Sequence, residues 1–345
     1  LISQQDIAAK LGITRSSVAV HIANLIKKGC ITGKGYIVRT DPYVVVVGGV
    51  NMDIGAVSAG ALVARDSNPG HVTTSLGGVG RNIAHNLCLL GQQTAMVTVM
   101  GDDDFGRRVQ ENAGDIGLDL SASAVLPDCR TGTYLYICGP DGDMALAVND
   151  MAIYDRMTPD FLRQRLDFIN GADLVVLETN LPEESIRWLC DNCKAPILAD
   201  PVSTIKAEKL RPVLGKLAAL KPNRLEAELL SGMPIRTRED AAQAARRLLD
   251  TGLGTVYISL GAEGIYAADR SGDTAWVPCA RCTVANATGG GDAVAAALAA
   301  RMVLGDSLSD TARWAVGAGA LACEAETTIN PAMSWDNIET ILNRR

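Results

Sequence analysis

The alternation of apolar runs and amphipathic segments divides this chain into a short helical head and a long body of strands and helices. From Tyr43 onward, short continuous apolar runs recur between segments that carry apolar residues at helical spacing. The runs cover 43–47, 94–100, 173–177, 197–200, 217–220 and 255–260. A strand with one solvent-exposed face alternates apolar and polar residues, and these runs do not alternate. The pattern therefore predicts an α/β fold with a mostly parallel central sheet flanked by helices.

A hairpin between the second and third runs has a different pattern. Residues 131–138 and 144–148 read as two strands joined by a Pro-Asp-Gly-Asp turn, with Asn149 directly after them. Together with the loop-like residues 55–76, the segment 131–150 is predicted to form a small β lid beside the main sheet. Such a lid covers a ligand and leaves a sheet edge for a second subunit. Asn149 is then a candidate substrate contact.

Residues 1–40 form a separate head in this pattern. Ser3 is a helix cap, Gly12 turns the chain, and residues 15–28 form a second amphipathic helix. The apolar stripe that we expect to be buried on this second helix is Val18, Ile22, Leu25 and Ile26. The polar residues that open the helix and can face outward are Arg15, Ser16 and Ser17.

Two short strands around a Gly-Lys-Gly tip follow the second helix, with Lys34 at the tip. Helix, turn, helix and basic hairpin together resemble the winged helix-turn-helix domains of bacterial regulators, without their first helix. The resemblance implies a module that binds DNA. An Asp-Pro pair at 41–42 ends it, so we expect a DNA-binding head over residues 1–40 and a second domain over 41–345.

The charge distribution indicates two different partners. The head holds six cationic side chains against one acidic side chain, a net charge of +5, and the whole chain carries −7, which leaves −12 on the body. A basic head on an acidic body suits duplex DNA as the partner of the head. The candidate DNA contacts are Arg15, Ser16, Ser17 and Lys34. The alternative is a small docking module that never touches nucleic acid.

Hydropathy and cysteine content bear on the compartment. No apolar run reaches the ~20 residues needed to span a bilayer, and no secretory signal heads the sequence, so we expect a cytoplasmic protein with no membrane partner. Leu1 is not an initiator methionine, so we expect the natural chain to start earlier. The nine cysteines are expected to be reduced thiols. Two C-x-x-C pairs, at 190–193 and 279–282, are too far apart for a zinc ribbon.

The strongest candidate for chemistry is the sequence Asn-Ala-Thr-Gly-Gly-Gly-Asp at 286–292, which leads into an alanine-rich helix former. The amides of Gly289, Gly290 and Gly291 would lie at the N-terminus of that helix and form an anion site. Asp292 would repel an anion, but its carboxylate makes sense if it faces an incoming hydroxyl while the amides hold a migrating phosphoryl group. The alternative is a glycine-rich loop in which Asp292 caps the helix.

Polar residues also follow other predicted strands. Asn51 and Asp53 come just after the first body strand, at the edge where open α/β sheets bind ligands, and they suit the adjacent hydroxyls of a sugar. Asx residues that shape a turn are the alternative. Glycines then lead into a helix with Asn82 in its first turn, where a ligand can approach the backbone of Gly77 and Gly78.

Two further turns suit a nucleotide and its metal. Asn223 and Glu226 share one face of the first turn of a helix, where an amide and a carboxylate can hold a hydrated Mg²⁺. A capping box, with Asn223 as the cap, fits the same spacing equally well. The strand at 255–260 meets a turn containing Gly261 and Gly264, which can accommodate a nucleotide. Neither a dinucleotide fingerprint nor a Walker loop is present.

Four separated motifs together look like the ribokinase (PfkB-type) family of sugar and nucleoside kinases, and the similarity runs through residues 43–345. The motifs are Gly49-Val-Asn-Met-Asp53, Gly77-Gly-Val-Gly-Arg-Asn82, Asn223-Arg-Leu-Glu226 with Ser259-Leu-Gly261, and Thr288-Gly-Gly-Gly-Asp292. Within the family, several phrases resemble the bacterial pseudouridine kinases. They include Asp66-Ser-Asn-Pro-Gly70, Val148-Asn-Asp-Met151, Asp200-Pro-Val-Ser203 and the segment 220–228.

The resemblance implies a ribokinase-like fold and ATP-dependent phosphorylation of the 5′-hydroxyl of a ribosyl substrate, pseudouridine above all. It implies that Asp292 is the general base and that the glycine amides of 289–291 form the anion hole. The residues implied to hold the ribose are Asn51, Asp53, Gly77, Gly78 and Asn82. Those implied to organise Mg·ATP are Asn223 and Glu226, and those implied to line the nucleotide site are Ser259, Gly261 and Gly264.

Two positions depart from the family pattern. Asn286 and Gly290 stand where many relatives have Asp and Ala, and Asn286 lies near their monovalent-cation site, which bears on a K⁺ requirement. The family also implies a homodimer through the lid. Two alternatives remain for the function: a kinase for ribose or another nucleoside, and a transcriptional regulator whose kinase-like domain is a ligand sensor.

Overall fold

A computed structural model describes residues 3–31 and 41–344 of the chain. In the head, α1 (Gln4–Leu11) and α2 (Arg15–Lys27) are joined by a tight turn in which Gly12 has a φ of 65°. Ser3 and Asp6 form a capping box at the start of α1, as the serine cap predicted. The hairpin around Lys34 lies outside the described residues.

The predicted buried stripe of α2 is only partly correct. Val18 is buried, but Leu25 and Ile26 are 41% and 50% exposed. The segment is helical as predicted, but the burial of an apolar stripe also needs a neighbouring element that covers it. The C-terminal end of the stripe, Leu25 and Ile26, therefore remains in contact with solvent.

The body is built on a sheet of eight strands in the order β14-β13-β12-β11-β10-β9-β1-β4. In chain order these are β1 (Tyr43–Val47), β4 (Gln93–Val97), β9 (Leu174–Glu178), β10 (Ile197–Asp200), β11 (Ala219–Leu220), β12 (Thr255–Ser259), β13 (Ile265–Asp269) and β14 (Thr274–Val277). The strands from β4 to β12 pair in parallel, and β13 and β14 add two antiparallel strands at the edge. The mostly parallel sheet predicted from the apolar runs is confirmed.

The strand β1 shows why these runs are continuously apolar. All five of its residues are buried. Val45 and Val47 point into a core on one face of the sheet, and Val44 and Val46 point into a second core on the opposite face. Because both faces carry helices, alternation of apolar and polar residues is absent from the sequence.

Helices cover both faces of this sheet. The α-helices of the body are α3 (Val79–Leu89), α4 (Asp104–Ile116), α5 (Pro159–Arg163), α6 (Leu166–Ile169), α7 (Glu183–Asn192), α8 (Thr204–Ala207), α9 (Arg224–Ser231), α10 (Arg238–Asp250), α11 (Gly290–Leu304), α12 (Leu308–Cys323) and α13 (Trp335–Leu342). Short 3₁₀ segments occupy Ala152–Arg156, Glu208–Lys216 and Gly261–Glu263. Within residues 3–31 and 41–344, no helix has both the length and the apolar character needed to cross a membrane.

A second sheet of four strands stands beside the first, in the order β3-β2-β7-β8. Its strands are β2 (Asn51–Ser58), β3 (Gly70–Gly77), β7 (Gly132–Cys138) and β8 (Met144–Asp150), which confirms the hairpin predicted over 131–150. The predicted pairing of 55–76 with 131–150 in one small sheet is confirmed, although 55–58 and 70–76 are strands and only 59–69 form the loop-like part. Strand β3 is rich in Gly, Ser and Thr and largely exposed, so it lacks the apolar alternation that identifies a strand. We call this four-stranded sheet the lid.

One further difference concerns the run at 94–100. The structure divides it into β4 and β5 (Val99–Gly101), and β5 pairs with β6 (Ala124–Leu126) in a separate sheet of two strands. The chain thus leaves the main sheet after Val97, immediately before it reaches α4.

Candidate active site

The glycine turn predicted to bind an anion opens α11. Gly289 is the N-cap with a φ of 86°, and a Cβ built on it would lie 2.2 Å from the carbonyl oxygen of Thr328. Only glycine fits at this position, because both the backbone conformation and the space exclude a side chain. The first amides of α11 have no partner within the helix and point, with the positive end of its dipole, out of the N-terminus. Asp292 lies in this first turn.

Asn82 lies directly opposite Asp292. The side-chain Nδ2 of Asn82, in the first turn of α3, donates a hydrogen bond of 2.9 Å to Oδ2 of Asp292. Its other amide atom, Oδ1, accepts a bond of 3.2 Å from Nη1 of Arg81, a buried guanidinium. The orientation of the Asn82 amide is therefore consistent with the donors and acceptors on both of its sides.

The environment of Asp292 raises its proton affinity. Desolvation and the nearby carboxylate of Asp200 raise the pKa of Asp292 to about 7, while the bond from Asn82 and the charge of Lys221 act in the opposite direction. A carboxyl group with a pKa near neutrality can accept a proton from a hydroxyl and release it again at physiological pH.

The predicted ribose-binding residues gather at the junction of the lid and α3. Asn51 and Gly77 are paired across β2 and β3, and Nδ2 of Asn51 donates a 2.6 Å hydrogen bond to Oδ1 of Asp53. A Cβ on Gly77 would lie 2.2 Å from Oδ2 of Asp53, and a Cβ on Gly78, which has a φ of 97°, would lie 2.6 Å from the carbonyl oxygen of Gly49. The two glycines thus make room for a carboxylate and for a backbone crossing, and burial raises the pKa of Asp53.

Asn149 shares one face of the lid with Asp53. Strand register places Asp53 opposite Tyr134, and Tyr134 opposite Asn149, so the three side chains project from the same side of the sheet. Tyr136 lies two residues further on this face, with its ring centroid 5.8 Å from that of Tyr134. The sequence analysis missed both tyrosines, although their alternation with Leu135 and Ile137 was a usable signal. We call the side of the lid that carries Asp53 its inner face.

Asn223 and Glu226 form the capping box that their spacing allowed. The backbone nitrogen of Glu226 donates to Oδ1 of Asn223 over 2.9 Å, and the backbone nitrogen of Asn223 donates to Oε2 of Glu226 over 2.8 Å. Burial and the carboxylate of Asp200 raise the pKa of Glu226, so a cation close to these carboxylates would relieve their repulsion. An amide and a carboxylate with retained water suit Mg²⁺, which takes few protein ligands. Within the described residues, no group of three or more His, Cys, Asp or Glu side chains is arranged to hold a metal ion.

The three residues implied to line the nucleotide site have different surroundings. Ser259 forms a parallel bridge with Asn223 and its hydroxyl donates to the carbonyl of Pro222 over 3.3 Å, so β12 is joined to the start of α9. Gly261 is exposed in the turn that follows, with a φ of 59°. A Cβ on Gly264 would lie 1.9 Å from the carbonyl oxygen of Val277, so packing against β14 is sufficient to explain that glycine.

Three charged residues that the sequence analysis did not select also lie here. Glu178, Asp200 and Lys221 stand at or just after the carboxyl ends of β9, β10 and β11, and all three are buried. Glu178 accepts hydrogen bonds from the backbone nitrogens of Gly49 and Asn180, and desolvation raises its pKa to about 7. Nζ of Lys221 lies 2.8 Å from Oδ2 of Asp200. Their common position at strand ends was the signal that could have identified them.

The candidate DNA-binding residues lie at the free end of α2. Arg15 and Ser16 are exposed, while the hydroxyl of Ser17 is 2.9 Å from that of Thr14, the N-cap of the helix. The opposite end of α2 contacts the body, where Nζ of Lys27 lies 2.6 Å from Oδ2 of Asp167. Lys34 lies outside the described residues.

The sequence profile of pfkB family carbohydrate kinases matches residues 41–335, and a profile of winged helix-turn-helix DNA-binding domains matches residues 1–32. The chain belongs to the pfkB family of carbohydrate kinases. It is an ATP-dependent kinase of the sugar and nucleoside class.

Three relatives illustrate the similarity. Pseudouridine kinase of Escherichia coli K12 is 37% identical over 305 residues, 88% of this chain and 97% of its own length. The uncharacterised sugar kinase YeiI of the same organism is 36% identical over 340 residues, 98% of this chain and 93% of its own, so that alignment reaches into the head. A carbohydrate kinase from Agrobacterium tumefaciens superposes with a TM-score of 0.77 at 28% identity, over 87% of this chain and 97% of that structure.

Proposed function

We propose that this kinase transfers the γ-phosphoryl group of ATP to the 5′-hydroxyl of a nucleoside, and that pseudouridine is its preferred acceptor. The observation that carries the proposal is the position of Asp292, hydrogen-bonded to Asn82 and directly after the Gly289–Gly291 turn. The similarity to pseudouridine kinase of E. coli, at 37% identity over nearly the full length of that enzyme, supports the choice of acceptor.

The reaction needs one base and one anion site. Asp292 accepts the proton of the 5′-hydroxyl as the oxygen of that hydroxyl forms a bond to the γ-phosphorus. The bond from the γ-phosphorus to the bridging oxygen breaks, and ADP leaves with its electron pair. The amides of Gly289, Gly290 and Gly291 stabilise the charge on the transferred group, because donors that are already oriented need no rearrangement during the reaction.

The ribose is held by the residues at the base of the lid. Asn51 and Asp53 present an amide and a carboxylate side by side, which fits two neighbouring hydroxyl groups. Gly77 and Gly78 border the sugar, and their missing side chains leave the space that the Asp53 carboxylate and the Gly49 backbone occupy. Asn82 orients Asp292 toward the hydroxyl that reacts. Asn149 contacts the substrate from the inner face of the lid.

The inner face also favours a nucleoside over free ribose. Tyr134 and Tyr136 offer aromatic rings next to Asp53, and every nucleobase has a face that can stack on such rings. Free ribose has no equivalent group. A kinase for ribose or for another nucleoside is the second candidate, favoured by the general pfkB fold alone.

The nucleotide lies along α9 and β12. Asn223 and Glu226 hold hydrated Mg²⁺, and Ser259 and Gly261 border the nucleotide, while Gly264 shapes the turn behind them. When bound, Mg²⁺ neutralises the charge of the phosphate oxygens. A K⁺ requirement remains a prediction. Asn286 carries a neutral amide where many relatives have a carboxylate, and its Oδ1 already accepts a hydrogen bond of 2.9 Å from the backbone nitrogen of Thr288.

The lid supplies a dimer interface on its outer face, the side opposite Asp53. Leu135 and Val148 are paired across β7 and β8 on this face. Apolar side chains that remain exposed there are Val72 at 70%, Leu146 at 58%, Val148 at 57% and Leu135 at 37%. A second copy of the lid would remove this apolar surface from water.

The head binds duplex DNA through Arg15, Ser16, Ser17 and Lys34, with residues 1–40 as the DNA-binding module and 41–345 as the kinase domain. Its net charge of +5 and the match to winged helix-turn-helix domains support this role. A regulator that uses the kinase domain only as a ligand sensor is the alternative. The intact set of Asp292, the glycine turn, Asn223 and Glu226 favours catalysis.

A substrate panel tests the proposal. The protein is incubated with ATP, Mg²⁺ and either pseudouridine, uridine, inosine or ribose, and ADP release is followed. We expect the highest kcat/KM with pseudouridine. If ribose or inosine is the better acceptor, the choice of substrate is wrong but the kinase reaction stands, and if none is phosphorylated, the sensor alternative gains support.

A further inference from the structure

We propose that Lys221 is a phosphate-contacting residue of this kinase, held by Asp200 so that its ammonium group binds the γ-phosphoryl group of ATP. The inference rests on the proposed function and adds a residue to it. Lys221 follows β11 and comes directly before Pro222 and the Asn223–Glu226 cap.

The position of the ammonium group is the first argument. Nζ of Lys221 lies 2.8 Å from Oδ2 of Asp200 and donates a 3.3 Å hydrogen bond to the carbonyl oxygen of Gly291. A Cβ built on Gly291 would lie 3.4 Å from the same Nζ. The ammonium group therefore lies against Gly291, the last glycine of the turn whose amides hold the transferred group.

The burial of the pair is the second argument. Lys221 and Asp200 are only 5% and 3% exposed. Removing two charges from water costs about as much as their attraction returns, so a buried ion pair gives little net stability compared with apolar residues. A functional reason is the better explanation for a pair buried beside the anion turn.

The backbone around Asp200 is the third argument. Val202 has a φ of 63°, which is unfavourable for a β-branched residue. Its backbone nitrogen donates a 2.8 Å hydrogen bond to Oδ1 of Asp200, and the next nitrogen, that of Ser203, donates to the carbonyl of Pro201 over 2.6 Å. Strained backbone of this kind clusters at functional sites, where it fixes a geometry. Here it fixes the carboxylate that holds Lys221.

The charge balance is the fourth argument. Four carboxylates influence one another around this edge of the sheet: Glu178, Asp200, Glu226 and Asp292. Lys206, whose Nζ contacts the side chain of Asn180, partly offsets the negative charge of Glu178. Lys221 faces Glu226 and Asp292 as well as Asp200. A triphosphate entering this acidic region needs a cation at the glycine turn, and Lys221 provides it.

A purely structural lysine is the competing explanation, in which Lys221 only anchors the start of α11. The two explanations differ in what they predict for nucleotides of different length. A contact with the γ-phosphoryl group discriminates a triphosphate from ADP, whereas an anchor affects both equally.

The test measures binding of AMP-PNP and ADP, each with Mg²⁺, by titration calorimetry on the full chain. We expect Lys221→Met to weaken AMP-PNP relative to ADP by roughly 10-fold or more, because a charged hydrogen bond is lost. Lys221→Arg keeps the charge and should retain the preference of the wild type within about threefold. If Lys221→Met does not fold, Lys221→Gln, which can still bond Asp200, carries the same expectation.

The matched control is Lys209→Met. Nζ of Lys209 also donates to backbone carbonyls, those of Thr179 and Leu181 at 2.9 and 2.7 Å, neither of which belongs to the glycine turn. This variant should leave the ratio of the two affinities unchanged. Equal losses for AMP-PNP and ADP in the Lys221 variants, or no loss, would overturn the role of Lys221. These titrations contain no acceptor, so they test the role of Lys221 separately from the choice of substrate. If no nucleoside reacts in the substrate panel, that result counts against the proposed function and not against the contact between Lys221 and the nucleotide.

Discussion

Asn82 and Asp292 are separated by 210 positions in the chain, and Nδ2 of the first lies 2.9 Å from Oδ2 of the second. The bond joins the N-terminal turns of α3 and α11, two helices that pack on the same face of the central sheet. It brings a residue expected to bind sugar into contact with the residue expected to act as base. An acceptor bound by one is thereby within reach of the other.

Replacement of Asp292 by Asn should remove the base while leaving the shape of the site intact. We expect kcat to fall at least ~10²-fold, the scale for losing a positioned base. Binding of ATP, measured by titration calorimetry, should change little. Turnover within threefold of the wild type would exclude Asp292 from the mechanism.

The pH profile should follow the ionisation of Asp292. Its pKa is raised to about 7, and the group acts as a base only when it is deprotonated, so kcat/KM should rise with pH and level off above neutrality. The hydrogen bond from Asn82 lowers this pKa, so Asn82→Ala should move the midpoint to higher pH. Rates between pH 5.5 and 9 measure both midpoints. An unchanged midpoint in the variant would mean that Asn82 does not stabilise the carboxylate.

The tyrosines on the inner face should matter for nucleosides only. Stacking on an aromatic side chain is worth ~1–3 kcal/mol per base, so Tyr134→Ala should lower kcat/KM for pseudouridine by about 5- to 150-fold. Turnover of ribose should hardly change. Leu135→Ala, the neighbouring residue on the outer face, is the control. Equal losses with pseudouridine and ribose would argue that Tyr134 stabilises the lid and does not stack on the nucleobase.

A charge on the outer face of the lid should break the dimer. Val148→Lys places an ammonium group among exposed apolar side chains, where a second lid would have to bury it at high cost. Light scattering after size exclusion should show a dimer for the wild type and a monomer for the variant. Ile205→Lys, at a residue 86% exposed outside the lid, is the control and should stay dimeric. A wild type that is monomeric at micromolar concentration contradicts the proposed interface.

The head should bind duplex DNA with a salt dependence set by its phosphate contacts. Lys34→Ala should flatten the plot of log affinity against log salt by about one unit without changing sequence preference, since each phosphate contact contributes roughly −0.9 to the slope. Arg15→Ala should instead relax the preference for the cognate site. Lys194→Ala on the body is the control. If the full chain ignores duplex DNA even at low salt, the head is a docking module.

Local sequence patterns were sufficient to predict the sheet and the glycine turn at the start of α11. Continuous apolar runs such as 43–47 identify strands buried on both faces, and three glycines before an alanine-rich run identify the start of a helix, because each signal lies within a few neighbouring residues. The capping box of Asn223 and Glu226 could also be predicted, because its two residues are only three positions apart. The match to the pfkB family then placed these pieces in one fold.

Contacts between distant segments were decided only by the tertiary structure. The Asn82–Asp292 bond and the Lys221–Asp200 pair each join residues from different strands or helices, and no local pattern indicates which partner a polar side chain meets. Strand β3 of the lid was not predicted because its exposed Gly, Ser and Thr residues carry no apolar alternation. Leu25 and Ile26 remain exposed for a related reason: periodicity shows which side of a helix is apolar, but burial depends on what packs against it.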